Sequence, residues 1–258
     1  LFRQIQYFDV LTGNPGAKDI FVSASVFRKS DDIYVMDVTM ALVGEENVEY
    51  SNPSCNDSRI VTRRQVYEAL IELDPTEFDD PGGYYMVWER CCRNITISNI
   101  LNPDETGQTF YIEFPELIKD GERFINSTPQ LFLPLSDYAC INRFYYASFE
   151  GFDADGDSLV YSLVTPLNST ISLDQDPVPT PSPAPHSNVN WAPGYSVSSQ
   201  VPGNDALKIS SDGFLTVTPS STGLFVFSVK VEEYRNNEKI GEVRRDFQLL
   251  VIDCPPQG

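Results

Sequence analysis

Apolar residues recur at every second position over most of this chain. Phe110, Ile112 and Phe114 form one such run. Leu159, Tyr161 and Leu163 form another, as do Phe225, Phe227, Val229 and Val231, and then Phe247, Leu249 and Val251. A period of two puts these side chains on one face of a half-buried β-strand. The last two runs flank Asn236-Asn237 and Gly241, which predicts a hairpin with turn residues at its tip. Ile33 to Val43 is rich in β-branched and apolar residues, and Gly213 and Gly223 sit in turn-like surroundings. Thr62 to Leu73 reads two ways. As a helix it has a capping box at Thr62 and Gln65 and one face of Val66, Ala69, Leu70 and Leu73. As a strand it alternates Tyr67, Ala69, Ile71 and Leu73 against Glu68 and Glu72. Its strand-like surroundings favour the second. No other amphipathic helix is visible. The expected fold is all-β: two tandem β-sandwich domains, 1–128 and 129–258, the second with Ig- or cadherin-like topology.

Two breaks organise the chain. Asn126-Ser127-Thr128-Pro129-Gln130 separates strand-like blocks and marks the expected domain boundary. Asp176 to Gly194 carries Pro177, Pro179, Pro181, Pro183, Pro185 and Pro193. Proline lacks the donor that a central strand needs, so this segment is expected as an extended surface loop of the second domain. Leu1 to Lys18 is open to two readings. It packs on its own domain, or Phe2, Ile5, Tyr7, Phe8 and Val10 extend the sheet edge of a neighbour.

Composition narrows the function. The 258 residues are 41% hydrophobic, enough for packed cores. Asp and Glu number 37 against 18 Lys and Arg, for a net charge of -19. That surface repels nucleic acid and anionic lipid and favours cations. No apolar run reaches the length of a membrane span. Five dispersed cysteines, none at metal-ligand spacing, point to disulfides and an oxidising compartment. The single His186 lies in the proline-rich segment, and no nucleophile elbow, phosphate loop or HExxH is present, so an enzyme is not expected.

The run Asp153-Ala154-Asp155-Gly156-Asp157 places three carboxylates at alternate positions around a glycine, directly before a strand. Hard cations take several oxygens from one short loop, so Asp153, Asp155 and Asp157 are candidate Ca2+ ligands. The competing reading is a solvated acidic turn.

Several words of the sequence then fall in order. They are Trp88-Glu89-Arg90-Cys91-Cys92-Arg93-Asn94, the aspartate run through Leu163, Ala192-Pro193-Gly194-Tyr195, and Gly213-Phe214-Leu215-Thr216-Val217-Thr218-Pro219. Val231-Glu232-Glu233-Tyr234-Arg235, Arg244-Arg245-Asp246-Phe247 and Asp253-Cys254 follow. The set resembles the N-terminal region of large Bacteroidota cell-surface proteins of the gliding-motility-associated kind, over about residues 18 to 254. The resemblance implies an extracellular, type IX-secreted, adhesin-like or filament-forming protein that is not catalytic. Its partners would be copies of itself or neighbouring domains, with glycan as an alternative.

In a seven-strand sandwich, Cys140 and Cys254 fall at the same pole, so a bridge between them is expected. Cys55 would pair with Cys91 or Cys92. Neighbours on a strand face opposite ways, and Cys92 shares the face of Trp88. Trp191 and Tyr195 offer either an exposed aromatic surface for glycan or protein, or side chains folded back onto a sheet.

Overall fold

The computed structural model describes residues 1–10, 19–48, 61–131, 138–169 and 181–254. In chain order the strands are β1 (Phe2–Asp9), β2 (Phe21–Arg28), β3 (Tyr34–Asn47), β4 (Thr62–Ala69), β5 (Tyr84–Arg90), β6 (Gln108–Phe114), β7 (Ile118–Lys119), β8 (Glu122–Arg123) and β9 (Gln130–Leu131). They continue as β10 (Ala139–Cys140), β11 (Tyr145–Ser148), β12 (Gly151–Phe152), β13 (Ser158–Val164), β14 (Gly203–Ile209), β15 (Phe214–Pro219), β16 (Gly223–Arg235) and β17 (Glu238–Ile252). The one helical piece among the described residues is a 3-10 turn at Pro103–Glu105. Thr62–Ala69 is a strand: Gln65 and Tyr67 are buried at alternate positions, and β4 pairs with β1 and β3. The N-terminal residues Phe2–Asp9 extend the sheet of their own chain.

The main sheet runs β1-β4-β3-β2-β5-β6-β17-β16-β13. Its first six strands coil around a core of Val22, Val26, Met40, Tyr67, Tyr84 and Trp88. The coil is tight enough that Phe2 of β1 meets Phe114 of β6 at 6.2 Å, although four strands separate them in the sheet. Its last strands face a second sheet, β11-β15-β14. Phe225, Phe227, Val229 and Val231 of β16 pack there against Leu207 of β14 and Leu215 and Val217 of β15. Alternation explains the second core: one face of each strand is apolar and meets its counterpart across the sandwich. The β16–β17 hairpin turns at Asn236 and Asn237, both left-handed (φ 52° and 67°), the conformation a two-residue type I′ turn requires.

The two expected domains share a sheet at their joint. The two largest core clusters are drawn from residues 2–117 and from 131–251, and two smaller ones draw on both halves. The sheet, however, does not stop between them. Glu113 and Ile112 of β6 pair with Glu242 and Val243 of β17. Two glutamates thus stand opposite each other at the joint, an arrangement that repels. Lys239 offsets this, 2.6 Å from Glu242 and 3.4 Å from Glu113, with Lys29 on Glu113 at 2.7 Å and Arg244 on Glu242 at 2.7 Å.

The proline-rich segment also differs from expectation. Its described part lies on both halves: Ser182 to His186 reach the first, while Ser187 and Val189 stay bonded to Asn168 and Pro166 of the second. The amides of Ser182 and Ala184 donate to Glu89 Oε2 (2.9 Å) and to the Tyr85 hydroxyl (2.8 Å). Tyr85 donates in turn to Asp32 (2.8 Å), and His186 sits edge-on to Tyr85 and Tyr111. This explains the unbroken burial of Tyr84 through Glu89 in β5. One face lies on the coiled-sheet core, and the other is roofed by the segment.

Buried polar side chains tie the halves further. Arg93, its side chain fully shielded, donates to Gly107 O (2.9 Å), Leu167 O (2.8 Å) and Asp246 Oδ2 (2.7 Å). Asn99, also fully buried, donates to the carbonyls of Gln200 and Val226 and accepts from Val226 N.

Removing the arginine would leave the Asp246 carboxylate and two carbonyls without their donor in a shielded site. Arg93→Ala should therefore lower the unfolding free energy by about 3–5 kcal/mol, read from the urea midpoint. A loss below about 1 kcal/mol would mean that this tie contributes little.

Candidate metal centre

The aspartate loop lies between β12 and β13. Asp153 Oδ1 accepts from the amides of Asp155 (2.9 Å) and Asp157 (3.0 Å), which folds the loop back on itself. Gly156 takes φ 85°, open to a glycine at little cost, and lets the chain reverse. Asp157 is gripped by Arg235 in a two-bond fork, Nε–Oδ1 2.7 Å and Nη2–Oδ2 2.6 Å. Arg235 also donates to Ile125 O (2.9 Å) and Asn126 Oδ1 (2.8 Å) and lies over the Phe124 ring. Asp155 accepts from Ser127 N at 2.6 Å. The expected boundary segment is thus pinned by Arg235 and Asp155.

The structure brings Asp153 and Asp157 together but replaces Asp155. The third carboxylate is Glu233 of β16, and ligand oxygens of Asp153, Asp157 and Glu233 all lie within 4.8 Å of one another. Asp155 points to the linker instead, because its oxygen is taken up by Ser127. Glu233 is wholly buried. Neither of its oxygens has a hydrogen-bond partner, and Asp153 Oδ2 is orphaned in the same way. Two backbone features aim Glu233 inward. A β-bulge follows it at Tyr234, and opposite it stands Gly241. A Cβ at Gly241 would lie 2.7 Å from Glu233 Oε2, so a larger residue there would displace the carboxylate from its present place.

Glu233 was legible by a rule not applied to it. Phe225, Phe227, Val229 and Val231 are the core face of β16, and two residues further on that face is Glu233. An acid in a core register is the signal. Arg235, two residues beyond, is taken by Asp157.

Burial pushes the Glu233 carboxyl up to about 8, and the neighbouring Asp153 and Asp157 charges add to that. The Asn126 amide works the other way, although its geometry falls short of a hydrogen bond. Asp157 is held below the usual carboxylate range by the Arg235 fork.

The other expected sites are placed as follows. Cys140 is bonded to Cys254, with Cα atoms 5.5 Å apart, where β10 runs parallel to the end of β17. The sulfurs of Cys91 and Cys92 lie against each other just beyond β5. The expectation assumed a continuing strand, but β5 ends at Arg90, so the two sulfurs do not alternate across a sheet. Cys55 lies outside the described residues. Trp191 and Tyr195 do not form an exposed platform. Trp191 packs on the cluster of Ile97, Ile100, Val189 and Val226, and Tyr195 packs on the second core beside Phe225. The exposed aromatic row is elsewhere, at Phe144, Tyr146 and Phe214, with ring centroids 6.1 and 5.7 Å apart. It lies on the outer face of β11 and β15, where alternation opposite Tyr145, Ala147 and Leu215 would have found it.

A carboxyl raised from its ordinary 4.5 to about 8 leaves full stability below 4.5, where both states are protonated, and loses it progressively as pH rises from there through 8. In chelator, raising the pH from about 5 to about 9 should cost the protein roughly 3–5 kcal/mol relative to Glu233→Gln. Urea unfolding at both pH values measures this, and parallel pH profiles for the two proteins would refute it.

No protein-family model and no curated protein matches this chain.

Proposed function

We propose that this chain is an extracellular, non-catalytic structural or adhesive module at a cell surface, and a component of a surface fibre. The observation that carries the reading is how the buried polar groups are used. Arg93, Asn99 and Glu89 each tie one half of the molecule to the other. With the shared sheet and the Cys140–Cys254 bond, these ties favour a single stiff body, the property a spacer needs. The disulfide supports an oxidising compartment. The net charge of -19 suits a cation-rich exterior rather than a nucleic-acid partner. The tightest carboxylate group includes the wholly shielded Glu233, which a sugar substrate cannot approach, and this supports a non-catalytic role. Among the described residues no helix is long and apolar enough to cross a membrane. The resemblance to Bacteroidota surface proteins points the same way and would make type IX secretion the route and gliding or adhesion the setting.

A second reading, a polysaccharide-binding module, is favoured by the solvent-facing row Phe144, Tyr146 and Phe214. Aromatic faces of this kind hold sugars and proteins alike.

Antibody to the chain should label intact, unpermeabilised cells of its source, and fibres carrying the label should be visible by electron microscopy. Label confined to permeabilised cells would sink the surface assignment. Saturable binding on a glycan array, lost in Tyr146→Ala, would move the conclusion to the second reading.

A further inference from the structure

We propose that Asp153, Asp157 and Glu233 hold one divalent cation of the Ca2+ class, which fastens the aspartate loop to strand β16. The site stands on its own geometry and would exist whatever the module does at the surface.

Three carboxylate oxygens, Asp153 Oδ2 and both of Glu233, are buried and without partners. Asp153 is only 7% exposed and Glu233 0%. An unpaired ionised carboxylate in such a place costs several kcal/mol, and nature relieves that cost with a counter-charge or a proton. The charges decide which counter-ion fits. Asp157 is already matched by Arg235. Asp153 and Glu233 then offer two negative charges to one divalent ion once the ion has displaced the Glu233 proton.

The donor set fixes the class. All candidate ligands are carboxylate oxygens, which suit hard cations and give no advantage to zinc or copper. Both Glu233 oxygens are free together, which suits the two-oxygen grip Ca2+ accepts, whereas Mg2+ demands a regular octahedron. Asp157 retains lone pairs beyond those facing Arg235, and water would complete the shell. The bulge at Tyr234 and the glycine at 241 give the third acid its place, so the seat is formed by the fold and not by the loop alone.

The ligand set separates this site from the one the loop spacing suggests. A loop-only site uses Asp155 and has no need of Glu233. The test is a calorimetric titration of the full, chelator-treated chain with CaCl2 at neutral pH, paired with thermal unfolding. One site with a Kd of about 10⁻⁵–10⁻³ M is expected, with Mg2+ at least about tenfold weaker and a raised midpoint of unfolding in Ca2+. Glu233→Gln and Asp153→Asn should each weaken Ca2+ binding about tenfold or more and remove the thermal shift, while circular dichroism stays that of the parent. Asp155→Asn should stay within about fivefold of the parent, since it loses only a nearby charge. The proposal is overturned if about 10 mM Ca2+ gives neither heat nor a thermal shift, which would leave a proton as the occupant. It is equally overturned if folded Glu233→Gln binds like the parent, or if Asp155→Asn alone abolishes binding.

Discussion

Strand β17 has two edges, and the fold depends on how both are filled. One edge is taken along its length by β16. The other is taken by β6 near its start and by β10 at its end. Buried backbone donors and acceptors must be paired, so a strand of fifteen residues in the middle of a sheet needs partners from more than one part of the chain. That requirement welds the two halves. Once Ile112 and Glu113 are set against Val243 and Glu242, the positions of Arg93 beside Asp246 and of Lys239 between the facing acids follow.

The ties at the joint are charged or polar, and individually such groups contribute modestly at a surface. Here Arg93 and Asn99 are fully shielded and Glu113 and Glu242 nearly so, while Lys29, Lys239 and Arg244 stay partly exposed. Breaking one partner then costs more than the pair itself contributes, because the survivor is stranded. A joint built this way is brittle towards mutation and stiff in the intact protein. The same logic covers the proline-rich segment: its amides bond Glu89 and Tyr85 on a buried face, adding to the partners those groups have in Thr109 and Asp32.

Strand identity was legible in the sequence because a period of two records which side of a sheet each residue faces. The hairpin was legible because Asn236-Asn237 accepts left-handed backbone. The joint was not. Which strands neighbour each other depends on backbone pairing, and Ile112 and Val243 carry no mark that they meet. The roofing of β5 was half legible: the unbroken run Tyr84-Tyr85-Met86-Val87-Trp88 signals burial on two faces, yet nothing local names the proline-rich segment as the cover. Trp191 and Tyr195 stayed open between an exposed surface and a fold back onto a sheet for a related reason. Their loop is polar and proline-rich, but the chain brings Ile97, Ile100 and Phe225 underneath them. In the candidate site, Asp153 and Asp157 were legible from loop spacing, whereas the turn of Asp155 towards the linker was not, because spacing does not reveal that Ser127 lies within reach.

Glu233 is where local and global preferences conflict. The register of β16 calls for an apolar residue there, and the preceding four inward positions supply one each time. An acid costs stability at such a place unless something compensates. The surroundings do not remove the conflict; they accommodate it. Gly241 gives up a side chain to make room, and the strand accepts a bulge and a skipped pair. Both concessions weaken a sheet on their own account. A chain needing only a filled core would keep the alternation and place a valine or phenylalanine at 233. That three separate departures from strand rules converge on one carboxylate is the physical ground for treating the site as built for an occupant rather than as an accident of packing.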